Sequence, residues 1–251
     1  MDPNFTKAAS GMTHRWLVVR LDAPMMAFGS VAIDQVGPTK YFPTASMLTG
    51  LIGNALGWDW SDRNLHQILQ DRIVFAARLD RNGFLIEDSQ NAQLAKNDRV
   101  WTTTGLPQGR DGDSYNAPHR RRREYLADAL LSVVLRLDSA DKSPTLDEIA
   151  SAIDRPERPL YIGRKPCLPS MPLLPQGSER WIESDTAWEA LHLLPKKDER
   201  LRAQWPINEG PAVGMCVDRI VDVSDQRNWH SGLHSGTRQI IDGWIITGGL
   251  E

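Results

Sequence analysis

The sequence of 251 residues predicts an α+β fold with a protruding arm and a small β-rich C-terminal extension. Three observations predict it. Short apolar runs rich in β-branched residues alternate with segments of helical periodicity. A long polar stretch separates two of these runs, and short strand candidates follow the last predicted helix.

The composition is that of an ordinary globular protein rather than a polycation or a disulfide-rich scaffold. Hydrophobic residues make up 41% and charged residues 24%, and nine tryptophans add apolar area to the core. The net charge of −3 restricts any nucleic-acid site to a local patch on a mildly acidic body. Two cysteines without a CxxC pair are typical of a reducing compartment.

Targeting and membrane signals are not visible in the sequence. No run approaches the roughly 18 apolar residues that a membrane span needs, and residues 1–12 lack the apolar core of a signal peptide. We expect a disordered leader over residues 1–12. The sequence therefore predicts a soluble, cytoplasmic protein that contacts no membrane.

A strand and two helices are predicted at the start of the chain. Residues 15–21 (RWLVVRL) are short, apolar and β-branched, which favours a buried strand. Thr44 is a suitable N-cap for a helix whose apolar residues recur at helical spacing, and a second helix is expected over residues 61–70. Gly50 and Gly53 lie on one side of the first helix, so we expect another backbone to pack closely there.

The next predicted elements are a strand over residues 72–80 and an arm. The tight turn at residues 81–83 predicts a hairpin between that strand and residues 84–87. Apolar content then falls, so we predict a protruding β-hairpin arm over about residues 88–125. Further elements are expected at residues 130–138 (strand), 143–153 (helix), 212–223 and 238–247 (strands). This order suits a ferredoxin-like domain over residues 13–175, with residues 176–251 as the β-rich region.

The most distinctive motif is a run of four arginines preceded by a histidine. Consecutive arginines repel one another unless an anion lies near them, and the guanidinium fork binds phosphate oxygens with two hydrogen bonds. The candidate phosphate contacts are His119, Arg120, Arg121, Arg122 and Arg123. A solvated charge run on an exposed arm is the competing interpretation.

Two weaker motifs could also bind RNA. In the first, a glycine allows a close backbone approach to phosphate, beside two cations and an aromatic stacking face; it consists of Tyr161, Gly163, Arg164 and Lys165. The second is a helix start, where amides and hydroxyls form an anion site; it contains Lys40, Thr44 and Ser46. A proline-rich connector and a plain N-cap are the respective alternatives.

Catalytic and metal motifs are sparse, and we predict neither a metal nor a cofactor. His230 and His234 are four residues apart, but Gly232 between them argues against a helix that would hold a metal. A metal-independent ribonuclease needs only a few polar groups. Its acid and base could come from His119, Tyr115, Tyr125 and Lys165.

Four segments resemble the CasD subunits of type I-E Cascade, in the order of that family: RLDAPMMAFG, YFPTASMLTGLIGNALGW, RREYLADALLSVVL and PLYIGRKPCLPSMPL. The resemblance extends from about residue 15 to residue 174. At Ala45 and Met47 the family often has a basic residue and a glycine, so the helix start here carries less charge for phosphate. The arm matches poorly, and the part after residue 176 is hardly diagnostic.

The resemblance implies a repeat-associated (RAMP, RRM-like) fold with a thumb-like arm. It also implies a non-catalytic subunit that caps the 5′ handle of the crRNA and contacts the backbone and large subunits of the complex. Target DNA would be met only through the complex. Relatives in type I-C systems cut repeat RNA, so an endoribonuclease is the alternative, and an assembly protein whose arm binds only protein is a third.

Overall fold

A computed structural model describes residues 13–32, 34–92, 99–101, 107–109, 119–195 and 200–246. The strands are β1 (His14–Asp22), β2 (Met25–Met26), β3 (Val36–Gly37), β4 (Ile73–Arg81), β5 (Phe84–Ala92), β6 (Arg99–Trp101), β7 (Pro107–Gly109), β8 (His119–Ala127), β9 (Leu130–Leu137), β10 (Trp181–Ser184), β11 (Arg200–Pro206), β12 (Val217–Val223) and β13 (Arg238–Ile246). The α-helices are α1 (Ala45–Ala55), α2 (Arg63–Arg72), α3 (Leu146–Asp154) and α4 (Ala187–Leu193).

The main sheet has seven strands in the order β10-β1-β9-β4-β11-β13-β12. Every neighbouring pair in it is antiparallel. Within the first part of the chain, the elements follow the order β1, α1 with α2, β4, β9, α3 and β10. The structure therefore combines α-helices with a fully antiparallel main sheet.

Alternate residues of the strands supply two apolar clusters, one on each face of the sheet. Residues such as Leu17, Val19 and Phe75 pack with α1 and α3 on one face. On the opposite face, Trp16 and Trp205 pack with α4. The period of two along each strand explains why such short runs can be buried on both sides.

The predicted start of α1 is confirmed, and the packing at its glycines differs from the prediction. Thr44 accepts a hydrogen bond from the Met47 amide at 3.2 Å and is the N-cap. A Cβ on Gly53 would lie 2.6 Å from Nε2 of His66. The close neighbours at this face of α1 are thus aromatic side chains, not a second backbone.

Strands β4 and β5 do not form the predicted hairpin. Strand β4 pairs with β9 and β11 in the main sheet, whereas β5 pairs with β8 in a second sheet. The chain can change sheets at this turn because Gly83 has no side chain, since a Cβ there would lie 2.1 Å from the Ala127 carbonyl oxygen.

The second sheet is built on β8. Strand β5 pairs antiparallel with β8 over its full length, from Phe84–Ala127 to Ala92–His119. Strands β2 and β3 lie on the other side of β8, and β6 pairs with β7 separately. Of the stretch 88–125, residues 93–98, 102–106 and 110–118 lie outside the described residues.

The segment after residue 176 continues the main sheet. Strand β10 pairs with β1 at one edge, and β11, β13 and β12 extend the sheet beyond β4. Helix α4, β10 and β11 were not predicted from the sequence, while β12 and β13 were. Within the described ranges, no helix combines the length and apolar character that a membrane crossing requires. The predicted leader, residues 1–12, lies outside the described residues.

Candidate nucleic-acid interface

A cleft of about 740 Å³ lies beside α1 and brings together residues from distant parts of the chain, among them residues 27–29 and His66 of α2. Its walls come from α1, from the turn at residues 58–60, from the loop at residues 158–165 and from residues 227–234. Six of the predicted site residues line it: Thr44, Ser46, Tyr161, Gly163, Arg164 and Lys165. Two motifs more than 100 positions apart in the sequence therefore share one cavity.

Gly163 allows the loop at residues 161–165, the basic loop, to lie directly against the segment that follows β2. Its φ of +90° is in the left-handed region, and a Cβ would lie only 1.5 Å from the Ala27 carbonyl oxygen. The Ala27 amide donates to the Ile162 carbonyl at 3.1 Å, and the Ile162 amide donates to the Cys167 carbonyl at 2.7 Å. These contacts set the position of the two cations that follow.

Arg164 and Lys165 differ sharply in their surroundings. The guanidinium of Arg164 donates to the Glu124 carbonyl at 2.8 Å and to the Gly37 carbonyl at 2.9 Å, and it lies over the Tyr125 ring at 5.0 Å. Arg164 therefore joins the basic loop to β3 and β8. Lys165 is exposed, and its ammonium makes no hydrogen bond or ion pair with the described part of the chain.

Aromatic rings also line the cleft. His66 stacks on Trp229 with centroids 4.4 Å apart and meets Trp58 edge-on at 5.3 Å. Trp60, which also lines the cleft, is 76% exposed. Sequence reasoning assigned the tryptophans to the core and missed these rings. The available signal was the pair Trp58 and Trp60 in a polar turn after a helix.

The remaining charges of the cleft are mostly arginines. Arg158 donates to the Trp58 carbonyl and to Asp59 at 3.0 Å, so its charge is paired. Arg227 lies over the Trp229 ring at 5.1 Å. Asp59 is the one carboxylate among the described lining residues, and the cleft is positive. Aromatic rings and cations in one cavity are the arrangement that binds single-stranded nucleic acids.

The predicted anion site at the start of α1 already holds a carboxylate. The Ala45 amide donates to Oδ2 of Asp225 at 3.1 Å, and the Ser46 amide donates to its carbonyl at 3.0 Å. The Thr44 hydroxyl is used as a donor to Phe28 at 2.8 Å. These amides are therefore engaged within the chain, and the half-buried Ser46 side chain lines the cleft at the start of α1. Lys40 lines a different groove.

The four arginines lie in succession on β8, opposite β5. Arg120, Arg121 and Arg122 are exposed, while Arg123 is half-buried. Their strand partners on β5 are polar or acidic, and the nearest ion pair, from Arg122 to Glu87, is long at 3.7 Å. Arg121 donates to the Asp34 carbonyl at 3.2 Å. These guanidiniums keep most of their donors for solvent or a ligand.

The residues considered for ribonuclease chemistry do not come together. Tyr125 is buried beneath Arg164, and Lys165 lies on the cleft side of the loop. Tyr115 and the side chain of His119 lie outside what the structure describes. His230 and His234 occur in a loop, where only His234 lines the cleft.

Comparison with known proteins identifies the family. The family model for Cas5d, described as CRISPR-associated protein (Cas_Cas5), matches residues 16–241. The CRISPR system Cascade subunit CasD of Escherichia coli (strain K12) is 32% identical over 158 residues, which cover 63% of this chain and 69% of CasD. The resemblance noted in the sequence motifs is therefore confirmed.

Two solved structures share the fold. A chain described as belonging to a CRISPR RNA-guided surveillance complex superposes with a TM-score of 0.62 at 23% identity, covering 92% of this chain and 90% of that one. A second structure, described as a Cas protein, gives 0.57 at 23% identity and covers 94% of this chain and all of that one. Because the family model matches most of this chain, the chain belongs to the Cas5 family of CRISPR-associated proteins.

Proposed function

We propose that this chain is a non-catalytic, cytoplasmic RNA-binding subunit of a type I CRISPR surveillance complex. The observation that carries the proposal is the cleft, where a cationic loop and several aromatic rings line one cavity of about 740 Å³. Stacking on aromatic rings and neutralisation of phosphates are the two contributions that bind a single strand. In this proposal the cleft holds a nucleotide of the 5′ handle of the crRNA.

Some of the proposed site residues can contact RNA directly, and others hold the loop in position. Lys165 would neutralise a phosphate, and Tyr161 with Trp60 would offer ring faces to a base. Gly163 and Arg164 would act by positioning the loop, because their contacts lie within the chain. Thr44 and Ser46 would line the floor, and Lys40 would contact RNA only beyond the cleft.

The arginines of β8 are proposed to contact the RNA backbone outside the cleft. Arg164 donates to the carbonyl of Glu124, the residue after Arg123, so the basic loop and the arginine run meet. We propose that β5 and β8, with the residues between them, form the arm that contacts RNA and neighbouring subunits. His119 would be a phosphate contact at its end.

The first part of the chain is proposed to be a ferredoxin-like (RAMP) unit. The element order β1-α-β4-β9-α3-β10 and the strand order β10-β1-β9-β4 support this. Strands β11 to β13 would then be an extension of its sheet from the region 176–251. Because CasD is a subunit of Cascade, we propose that the partners are the backbone and large subunits of such a complex.

Incubation of the purified chain with end-labelled CRISPR repeat RNA in EDTA tests the proposal. Native gels should show retarded RNA, and denaturing gels should show that it remains intact. A discrete shortened product would overturn the non-catalytic assignment. RNA that is neither retarded nor cut would overturn the binding assignment and leave an assembly role through protein contacts.

Lys165→Ala is the sharpest variant for locating the site. We expect about a threefold to tenfold loss of RNA affinity, because an exposed charge contributes on the order of 1 kcal/mol. Lys142→Ala is the matched control, since Lys142 is also exposed and does not line the cleft. Equal affinities for the two variants would remove the cleft from the binding site.

A further inference from the structure

The outer three strands of the main sheet leave one face open on the side where α1 and α3 cover the rest. Gln204 pairs with Ala77, whose side chain lies in the core beneath these helices, so the register assigns Gln204 to the same face. By the same register Arg202 and Trp244, and Arg219 and Asp242, are neighbours on this face. Arg219 is 67% exposed and Arg202 is 42% exposed.

One buried carboxylate holds the two arginines together. Asp242 is 2% exposed and accepts from Arg202 at 2.8 and 2.9 Å and from Arg219 at 3.0 and 3.2 Å. A single negative charge therefore orients two guanidiniums and neutralises only one of them. Arg202 also has a buried Nε without a hydrogen-bond partner. Asp242 therefore fixes the position of both arginines, and the three side chains together keep a net positive charge.

The loop before α1 forms the other wall of a groove of about 360 Å³ over this face. Lys40 and Tyr41 contribute to that wall, and Arg238 lies in the floor, paired with Asp225 at 2.7 and 2.9 Å. Nearby, Arg200 lies over the Trp244 ring at 4.4 Å. No carboxylate among the described residues pairs with Arg200 or Lys40.

The balance of charge and aromatic surface indicates the kind of ligand. Four cations (Lys40, Arg202, Arg219 and Arg238) and two carboxylates (Asp225 and Asp242) line the groove. Arg200 adds a fifth positive charge beside it, over the Trp244 ring. Tyr41 is 48% exposed and offers a ring at the edge of the groove. Guanidinium forks bind phosphate oxygens in pairs, and a ring beside them can stack on a base. An acidic protein segment would use the charges but not the ring.

The groove adjoins the cleft at the start of α1. Thr44 lines both cavities, and Asp225, which lines the groove, accepts the first amides of the helix. We infer that this groove binds the phosphate backbone of a nucleic-acid strand, as a second site that continues past the N-terminus of α1 from the cleft. This inference rests on the proposed RNA-binding function and adds to it a second set of contacts.

The test compares Arg200→Gln/Arg219→Gln with the charge-matched control Lys142→Gln/Arg155→Gln in the full chain. The control residues are exposed and lie away from both cavities. The probe is a fluorescein-labelled uridine 30-mer, titrated between about 0.05 and 0.3 M salt. We expect about a tenfold loss of affinity and a salt slope smaller by about 1.4, or roughly 0.7 per lost phosphate contact. Equal melting temperatures would show that the fold is intact.

Two results would overturn the inference, and they are separable from failure of the proposed function. If Lys165→Ala weakens binding while the groove variant matches its control, the cleft binds RNA and the groove does not. If labelled polyglutamate loses affinity in the groove variant while the uridine 30-mer does not, the groove binds acidic protein. If the unmodified chain does not bind the uridine 30-mer, the proposed function fails together with the inference.

Discussion

The basic loop at residues 161–165 and the arginine run at residues 120–123 carry similar charge but use it differently. In the loop, the guanidinium of Arg164 donates to the carbonyls of Glu124 and Gly37, while Lys165 is exposed. In the run, three of the four arginines are exposed. The difference teaches that a cationic residue can be recognised in the sequence. Whether its side chain remains available to a ligand depends on which backbone carbonyls the fold brings within hydrogen-bond distance. Substitution of Arg164 should therefore affect stability, whereas substitution of Lys165 or of the arginine run should affect RNA binding.

Gly163→Ala should give the largest effect on stability. The new Cβ would overlap the Ala27 carbonyl oxygen at 1.5 Å, at a φ of +90° that disfavours any side chain. We expect the free energy of unfolding to fall by about 3–5 kcal/mol in urea denaturation. Gly177→Ala is the control, because its φ is also positive but nothing lies within 4 Å of its Cβ. A similar loss in both variants would mean that backbone strain, and not close packing, dominates.

Arg164→Ala and Lys165→Ala should separate folding from binding within one loop. Loss of Arg164 removes the hydrogen bonds from its guanidinium to two carbonyls, so the free energy of unfolding should fall by about 2 kcal/mol. Lys165→Ala should change it by less than about 0.5 kcal/mol, as for other surface positions. Denaturation curves for the two variants test this directly. Equal stabilities would contradict the structural role assigned to Arg164.

Replacing Arg120, Arg121 and Arg122 by glutamine should leave the fold almost unchanged and lower the salt dependence of RNA binding. These side chains are exposed and their contacts within the chain are few. We expect a change in stability below about 1 kcal/mol. The slope of log K against log salt should fall by up to about 2, from roughly 0.7 per phosphate contact. An unchanged slope would assign the run to solvent or to protein partners.

A pH titration of stability should report on a group remote from both cationic segments. Burial lowers the pKa of His192 below its usual 6.5, and the charge of Arg78 lowers it further. The folded state therefore favours the neutral imidazole. Its contribution to stability is complete above pH 6.5 and is lost as the pH falls through the lower folded pKa. His192→Gln should remove this dependence, measured by denaturation between pH 7.5 and 5, roughly the range over which a histidine titrates.

Much of the secondary structure could be predicted because its signals are local. Thr44 with the apolar spacing after it marked the start of α1, and Thr145 with Glu148 forms a capping box at the start of α3. The runs that became β1, β4 and β9 are short, apolar and β-branched. The pairing of the strands was less predictable. The turn at residues 81–83 has residues typical of a hairpin, yet β4 and β5 belong to different sheets.

One part of the candidate site, the basic loop, could be predicted because its signal is also local. Cations and a glycine in one short segment pointed to the loop at residues 161–165. The aromatic lining of the cleft could not be predicted, because Trp58, His66 and Trp229 come from three parts of the chain. The helix start was mistaken for a free anion site because Asp225, its actual partner, is 180 positions away from Ala45.

By itself, the sequence determined the mixed α and β character, the main elements and the position of the densest positive charge. These follow from the period of apolar residues and from side-chain type, which are properties of neighbouring residues. Only the tertiary structure decided which cations remain available and which rings share the cavity with them. Hydrogen bonds from a guanidinium are satisfied by whatever carbonyls the fold brings within about 3 Å, and those carbonyls belong to distant segments of the chain.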